Sequence, residues 1–153
     1  MLKLMIVEGQ PEKSGKVSYY QENYTLEYET SQVSSDRSLL LIYDTLTISF
    51  DEHTRKFLSF DAYTNKNEWL IKEHLKIPLS YKTGTLVVKE GYENTDRYSF
   101  KSIPAYEYLK GSILKISFQK EDLDTEFYLV SKDLIVGIRN HLISSMILLN
   151  LEV

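Results

Sequence analysis

The stretch Leu46-Thr47-Ile48-Ser49-Phe50, followed by Asp51-Glu52-His53-Thr54-Arg55 and then Leu58-Ser59-Phe60-Asp61-Ala62, decides the fold class. Leu46, Ile48 and Phe50 alternate with Thr45, Thr47 and Ser49, so one face is apolar and the other polar. A period of two belongs to a half-buried strand, because successive side chains of a strand point to opposite faces. Leu58, Phe60 and Ala62 repeat the pattern after a polar connection, which is the signature of a hairpin.

The same alternation recurs on both sides of this hairpin. Tyr24, Leu26 and Tyr28 alternate with Thr25 and Glu27, and Leu114, Ile116 and Phe118 alternate with Lys115, Ser117 and Gln119. From Leu142 to Val153 apolar residues occupy both faces, which predicts a long strand in the middle of a sheet. Leu2–Val7, Leu39–Tyr43 and Thr85–Glu90 are further strands. Glu126–Val130 and Leu134–Arg139 flank the turn Ser131-Lys132-Asp133, and Asn140-His141 separates the latter from the carboxyl-terminal strand. Three such strands in succession predict an antiparallel meander.

Helix is scarce; Leu142–Leu149 also fits helical spacing, but the alternation that continues to Val153 favours the strand, and one other window remains. Between residues 65 and 75, Thr64 or Asn67 supplies a cap, Trp69, Ile71 and Leu75 face the core, and Ile77-Pro78 ends the segment. Glu8–Lys16, Ser31–Ser38 and Glu90–Pro104 lack periodicity and are expected as connections, none long enough to divide the chain. The expected architecture is a single globular domain over 1–153. It is mostly β, an antiparallel β-sandwich or a partly open barrel, with one short helix near 65–75.

Composition sets the bounds. Of 153 residues, 42% are hydrophobic and the net charge is only −4, so the chain has the apolar content for a core and lacks the charge of a disordered one. The absence of cysteine excludes disulfides, thiol nucleophiles and thiolate metal sites. Eighteen Lys and Arg are interleaved with 22 Asp and Glu, so no basic stripe exists and no nucleic-acid partner is expected. No apolar run approaches the ~18–20 residues that span a bilayer, so no membrane partner is expected. Met1–Val7 is too short and too interrupted for a secretory signal, so the expected location is cytoplasmic.

Motifs that carry chemistry are missing. His53, His74 and His141 stand far apart, outside any metal-ligand spacing. Asp51, Glu52 and Asp61 around His53 form the only local acid–base group, and turn chemistry accounts for them. Glu121, Asp122, Asp124 and Glu126 crowd together without the glycine a calcium loop needs, and read as solvated loop or acidic docking surface. No Gly-x-Ser-x-Gly or Ser-x-x-Lys occurs, and the six glycines never fall in phosphate-loop spacing. No catalytic or metal-ligating residue is assigned, and no cofactor is expected.

Tyrosine is the unusual component: twelve Tyr against six Phe and one Trp. Its ring packs across strands while its hydroxyl reaches water, and it is also enriched at binding surfaces. Tyr92, Asp96 and Tyr98, in a stretch without periodicity, form the expected recognition loop, with Glu121, Asp122 and Asp124 as an acidic face. The expected function is a non-catalytic protein-binding module for a basic protein partner. An inhibitor or a toxin-neutralising immunity protein, acting by occlusion, would be of this kind. The alternatives are a small-ligand-binding β-barrel, a subunit of a homo-oligomeric assembly, and an enzyme built on dispersed Asp, Glu and His residues.

Overall fold

The structure, a computed structural model, describes residues 2–32, 37–91, 95–109, 111–120 and 124–151. In chain order its strands are β1 (Lys3–Glu8), β2 (Lys16–Tyr20), β3 (Thr25–Glu29), β4 (Ser38–Tyr43), β5 (Leu46–Asp51), β6 (Phe57–Tyr63) and β7 (Leu70–Lys72). They continue as β8 (Lys82–Glu90), β9 (Arg97–Phe100), β10 (Ala105–Leu109), β11 (Ile113–Ser117), β12 (Glu126–Ser131), β13 (Leu134–Arg139) and β14 (Leu142–Leu148). The chain is mostly β, in two sheets. One runs β1-β8-β12-β13-β14-β11-β10-β7 and the other β2-β3-β6-β5-β4-β9.

The deciding hairpin is β5–β6, with Ile48 opposite Phe60 and Leu46 opposite Ala62. Asp51 closes it: one carboxylate oxygen accepts from the His53 N–H at 3.0 Å and the Thr54 N–H at 2.7 Å. The meander β12-β13-β14 forms as expected, and β14 lies between β13 and β11, inside the sheet.

Three expectations need correction. The sheets are mixed, because β4–β9, β7–β10 and β8–β12 pair in parallel. Each of these pairs joins segments separated by tens of residues, and side-chain alternation carries no information on strand direction. The helix expected over 65–75 is absent. Only a 3-10 turn, Lys66–Glu68, forms, capped by Asn65, whose side chain accepts from the Asn67 N–H. Trp69 is already extended, and β7 follows in register with β10, so sheet pairing takes the backbone that a helix would have used. Trp69 is buried, but Ile71 is 57% exposed. Finally, the carboxyl-terminal strand ends at Leu148, because Asn150 turns the chain at a φ of 57° and the Leu151 N–H bonds the Ser112 carbonyl.

The inner faces of both sheets feed one core. Leu26, Tyr28, Leu41, Ile48, Phe50 and Phe60 come from one side, and Leu4, Leu86, Leu114, Ile116, Val136, Met146 and Leu148 from the other. Tyr43 and Phe118 meet across the sheets with ring centroids 4.4 Å apart. The Tyr28 hydroxyl shares a hydrogen bond with the Ser131 hydroxyl at 2.6 Å and donates to the Lys132 carbonyl at 2.5 Å, a polar tie through the same core. At one margin the sheets also join through backbone: Lys56 bridges Val87, and the Val88 N–H donates to the Arg55 carbonyl.

Residues 73–81 carry the chain from β7, at one end of the eight-stranded order, to β8 near the other. Six inter-strand spacings of about 4.8 Å amount to roughly 29 Å along the sheet, against a reach of about 35 Å for ten fully extended residue steps. The segment is therefore a stretched strap, and Pro78 holds Ile77 in extended backbone. It crosses the outer face, because Lys115, pointing away from its core neighbours Leu114 and Ile116, donates from Nζ to the Lys76 carbonyl at 2.9 Å. Lys115, Ile147 and Ile135 are cross-strand neighbours on that face and are all buried.

Candidate functional site

Strand direction alternates along β2-β3 and β4-β5-β6, so the turn at 21–24, the turn at Asp44-Thr45 and the end of β6 at Tyr63 collect at one end of the six-stranded sheet. The β9–β10 connection brings Ile103 and Pro104 there, and β10 adds Tyr106. Between them lies a cleft of about 510 Å³.

Thr64 organises its floor. Its N–H donates to the Tyr24 carbonyl at 2.7 Å, its carbonyl accepts from the Tyr19 hydroxyl at 2.9 Å, and its hydroxyl accepts from the Trp69 indole N–H at 2.8 Å. The Tyr19 hydroxyl in turn accepts from the Lys66 N–H, which fixes the start of the 3-10 turn. Tyr63 is pinned to the neighbouring turn by Thr45, through its backbone N–H and its carbonyl.

The walls are aromatic. Tyr24 and Tyr63 meet edge to face at 6.0 Å, and Trp69 stacks on Tyr106 at 6.3 Å. Tyr24 holds a φ of 55°, an unfavourable backbone for a bulky residue, which the Thr64 N–H bond secures. Asp44 takes a φ of 54°, which aspartate tolerates better. Asp44 and Glu68 are exposed at the rim, and no Lys, Arg or His is among the described residues that line the cleft.

The Tyr106 hydroxyl is buried beside the Thr64 hydroxyl. Burial pushes it up to about 12; the Thr64 hydroxyl opposes the shift and the Asp44 carboxylate adds to it.

Of the six residues expected to bind, three are described, and Asp124 stands beside a different sheet from Asp96 and Tyr98. Tyr92, Glu121 and Asp122 lie outside the described residues. Asp96 precedes β9, where its carbonyl accepts from the Leu40 N–H. Tyr98 is on β9, half-buried against Phe100 at the margin of the core, so it belongs to a strand and not to a free loop. Asp124 precedes β12 on the other sheet and borders a separate concavity with Leu4, Glu126, Tyr128 and His141. The acid–base group at residues 51–61 does not assemble either. The Asp51 carboxylate caps its own turn, and Asp61 stands on β6 opposite Glu27 and Thr47. Among the described residues no three of His, Asp and Glu form a group able to hold a metal, and no helix is long and apolar enough to cross a membrane.

Sequence reasoning passed over Asp44, Tyr63, Glu68 and the role of Thr64. A partial signal was present: reading β4-β5-β6 as hairpins puts Asp44-Thr45 and Tyr63-Thr64 at the same end, whereas the turn at 21–24 joins them only through the β3–β6 pairing. No protein-family model matches the chain, and no curated protein matches it.

Proposed function

We propose that this chain is a non-catalytic binding module for a basic protein partner and that the end cleft is its recognition site. One observation carries the reading: a rigid cleft walled by Tyr24, Tyr63, Trp69 and Tyr106, rimmed by Asp44 and Glu68, with no cationic side chain among its described lining residues. Aromatic anchors give contact area at low entropic cost, and rim carboxylates speed the encounter with a basic surface. The chain's net charge of −4 acts in the same sense. In this reading the two sheets form a sandwich that holds the cleft open at one end. Binding acts by occlusion, as in an inhibitor or an immunity-type protein, in a cytoplasmic setting.

The test is capture from native lysate at low and high salt, with the tagged protein beside its Asp44→Asn/Glu68→Gln double variant. The expected result is a stoichiometric basic protein retained at low salt, released at high salt and not retained by the variant. Equal recovery by both proteins, or recovery of the tagged protein alone, would overturn the proposal.

A further inference from the structure

We infer that the end cleft receives an arginine side chain. This rests on the cleft being the partner site and goes further, by naming the group that enters it.

Charge comes first. Two carboxylates line the cleft, and no cationic side chain is among its described lining residues to offset them. A cation in the cleft is attracted by them and an anion repelled. Lys66, next to Asn65 in sequence, does not line the cleft, and its Nζ stands 5.8 Å from the Tyr19 ring centroid. Phosphates, acidic peptides and nucleic acid are disfavoured on the same ground.

Shape separates the cations. Tyr24 and Tyr63 stand at an interplanar angle of 85°, so the cleft is walled by two aromatic planes of different orientation on which a flat group can stack. Guanidinium is planar, stacks on aromatic faces and is more weakly hydrated than ammonium, so it loses less on entering a partly enclosed site. Its five N–H donors also outnumber the three of lysine. Asp44, Glu68, Thr45 and Asn65 offer side-chain oxygens around the same cavity.

The site is also preorganised. Thr64 clamps the backbone at Tyr24, the ring of Trp69 and the hydroxyl of Tyr19, so little ordering remains for the ligand to impose. The strained φ at Tyr24 shows that the fold holds this ring in place against the residue's own preference.

Trp69 is the only tryptophan and lines this cleft, so its emission in the folded protein is the signal for binding there. The experiment titrates the intact protein with N-acetyl-arginine methylamide, the matching lysine compound and the neutral citrulline analogue. We expect saturable change with arginine, affinity for lysine weaker by about fivefold, and no response to citrulline. Asp44→Asn/Glu68→Gln should weaken arginine binding by about tenfold or more. Tyr24→Gly should weaken it while leaving thermal stability equal or higher, because glycine is at ease at positive φ. Citrulline binding as well as arginine, lysine binding equally or better, or no compound binding at all would overturn the inference. The lysate capture, repeated with Tyr24→Gly, separates the two levels. A partner lost with that variant while no arginine compound binds leaves the cleft as the partner site and removes arginine as its determinant. A partner retained by Tyr24→Gly removes the cleft itself.

Discussion

The two sheets are assembled by different routes. In the six-stranded sheet, β2–β3 and β4-β5-β6 are antiparallel neighbours close in sequence, the β3–β6 pairing joins these two groups, and β9 adds from farther along the chain. The eight-stranded sheet draws on the first strand, the middle of the chain and its carboxyl-terminal third, with β7 and β8 placed almost at opposite ends of the order. The end cleft opens where turns of the locally built sheet meet β10 of the other. Local turns supply its polar and charged groups, and a long-range strand closes its aromatic wall. The lesson is that a site can be rigid on one side by sequence proximity and on the other only by tertiary assembly.

The strongest way to break this contrast is to ask whether the sheets unfold separately. Phe60 is buried in the six-stranded sheet and Ile116 in the eight-stranded one, and both belong to a single core. Phe60→Ala should cost about 3–5 kcal/mol and Ile116→Ala about 2–5 kcal/mol. Both should lower one cooperative transition followed by Trp69 fluorescence and by circular dichroism. Two separated transitions in either variant would show two units in place of one.

A smaller effect distinguishes the strap from the sheet it crosses. Lys115→Met keeps the aliphatic stem and removes the donor to the Lys76 carbonyl, at an expected cost of about 1–3 kcal/mol. Hydrogen exchange should rise over residues 73–81 and stay unchanged in β3, β5 and β6. Faster exchange throughout would mean that the strap supports the whole fold, and no change at 73–81 would mean that Lys115 does not anchor it.

The smallest effect sharpens the tie between the sheets. Burial pushes the Tyr28 hydroxyl up to about 12 from an ordinary 10, with the Ser131 bond opposing the shift and the Asp133 and Glu12 charges adding to it. Burial also pushes Tyr43 up. The folded state therefore keeps protons that the unfolded chain gives up first. This contribution is complete below the unfolded value near 10, and it declines as pH rises from there through about 12. Denaturant midpoints should fall across that window. Tyr28→Phe should make the decline shallower, while lowering stability at neutral pH by removing the bonds to Ser131 and Lys132. An unchanged slope would take Tyr28 out of the titration.

Legibility in the sequence followed the same division. The strand at Leu46–Phe50 was plain because its inner face is fully apolar and its outer face polar, and its partner lies just beyond one turn. β9 and β10 were hidden because each partner that explains them is distant: Tyr98 pairs beside Leu41, and Tyr108 beside Ile71. The window around Trp69 resembled a helix because its apolar spacing satisfies a helical face, and the competing pairing with β10 cannot be seen locally. Of the cleft, the tyrosines were visible as an excess of their type. Asp44, Tyr63 and Thr64 acquire meaning only from the end of the sheet to which the hairpins deliver them.

The strap also dictates an order of assembly. Its residues, 73–81, precede β11, β12, β13 and β14 in sequence, yet they lie across the face those strands form. The surface beneath the strap does not exist until the carboxyl-terminal third of the chain has paired. On a ribosome, β2 to β6 can close on one another as they emerge, whereas the strap must wait, extended and exposed, for strands made long after it. The strap cannot dock on that face before the carboxyl-terminal third has paired, and until then Leu75 and Ile77, half-buried in the folded chain, stand open to chaperones or to the wrong partner.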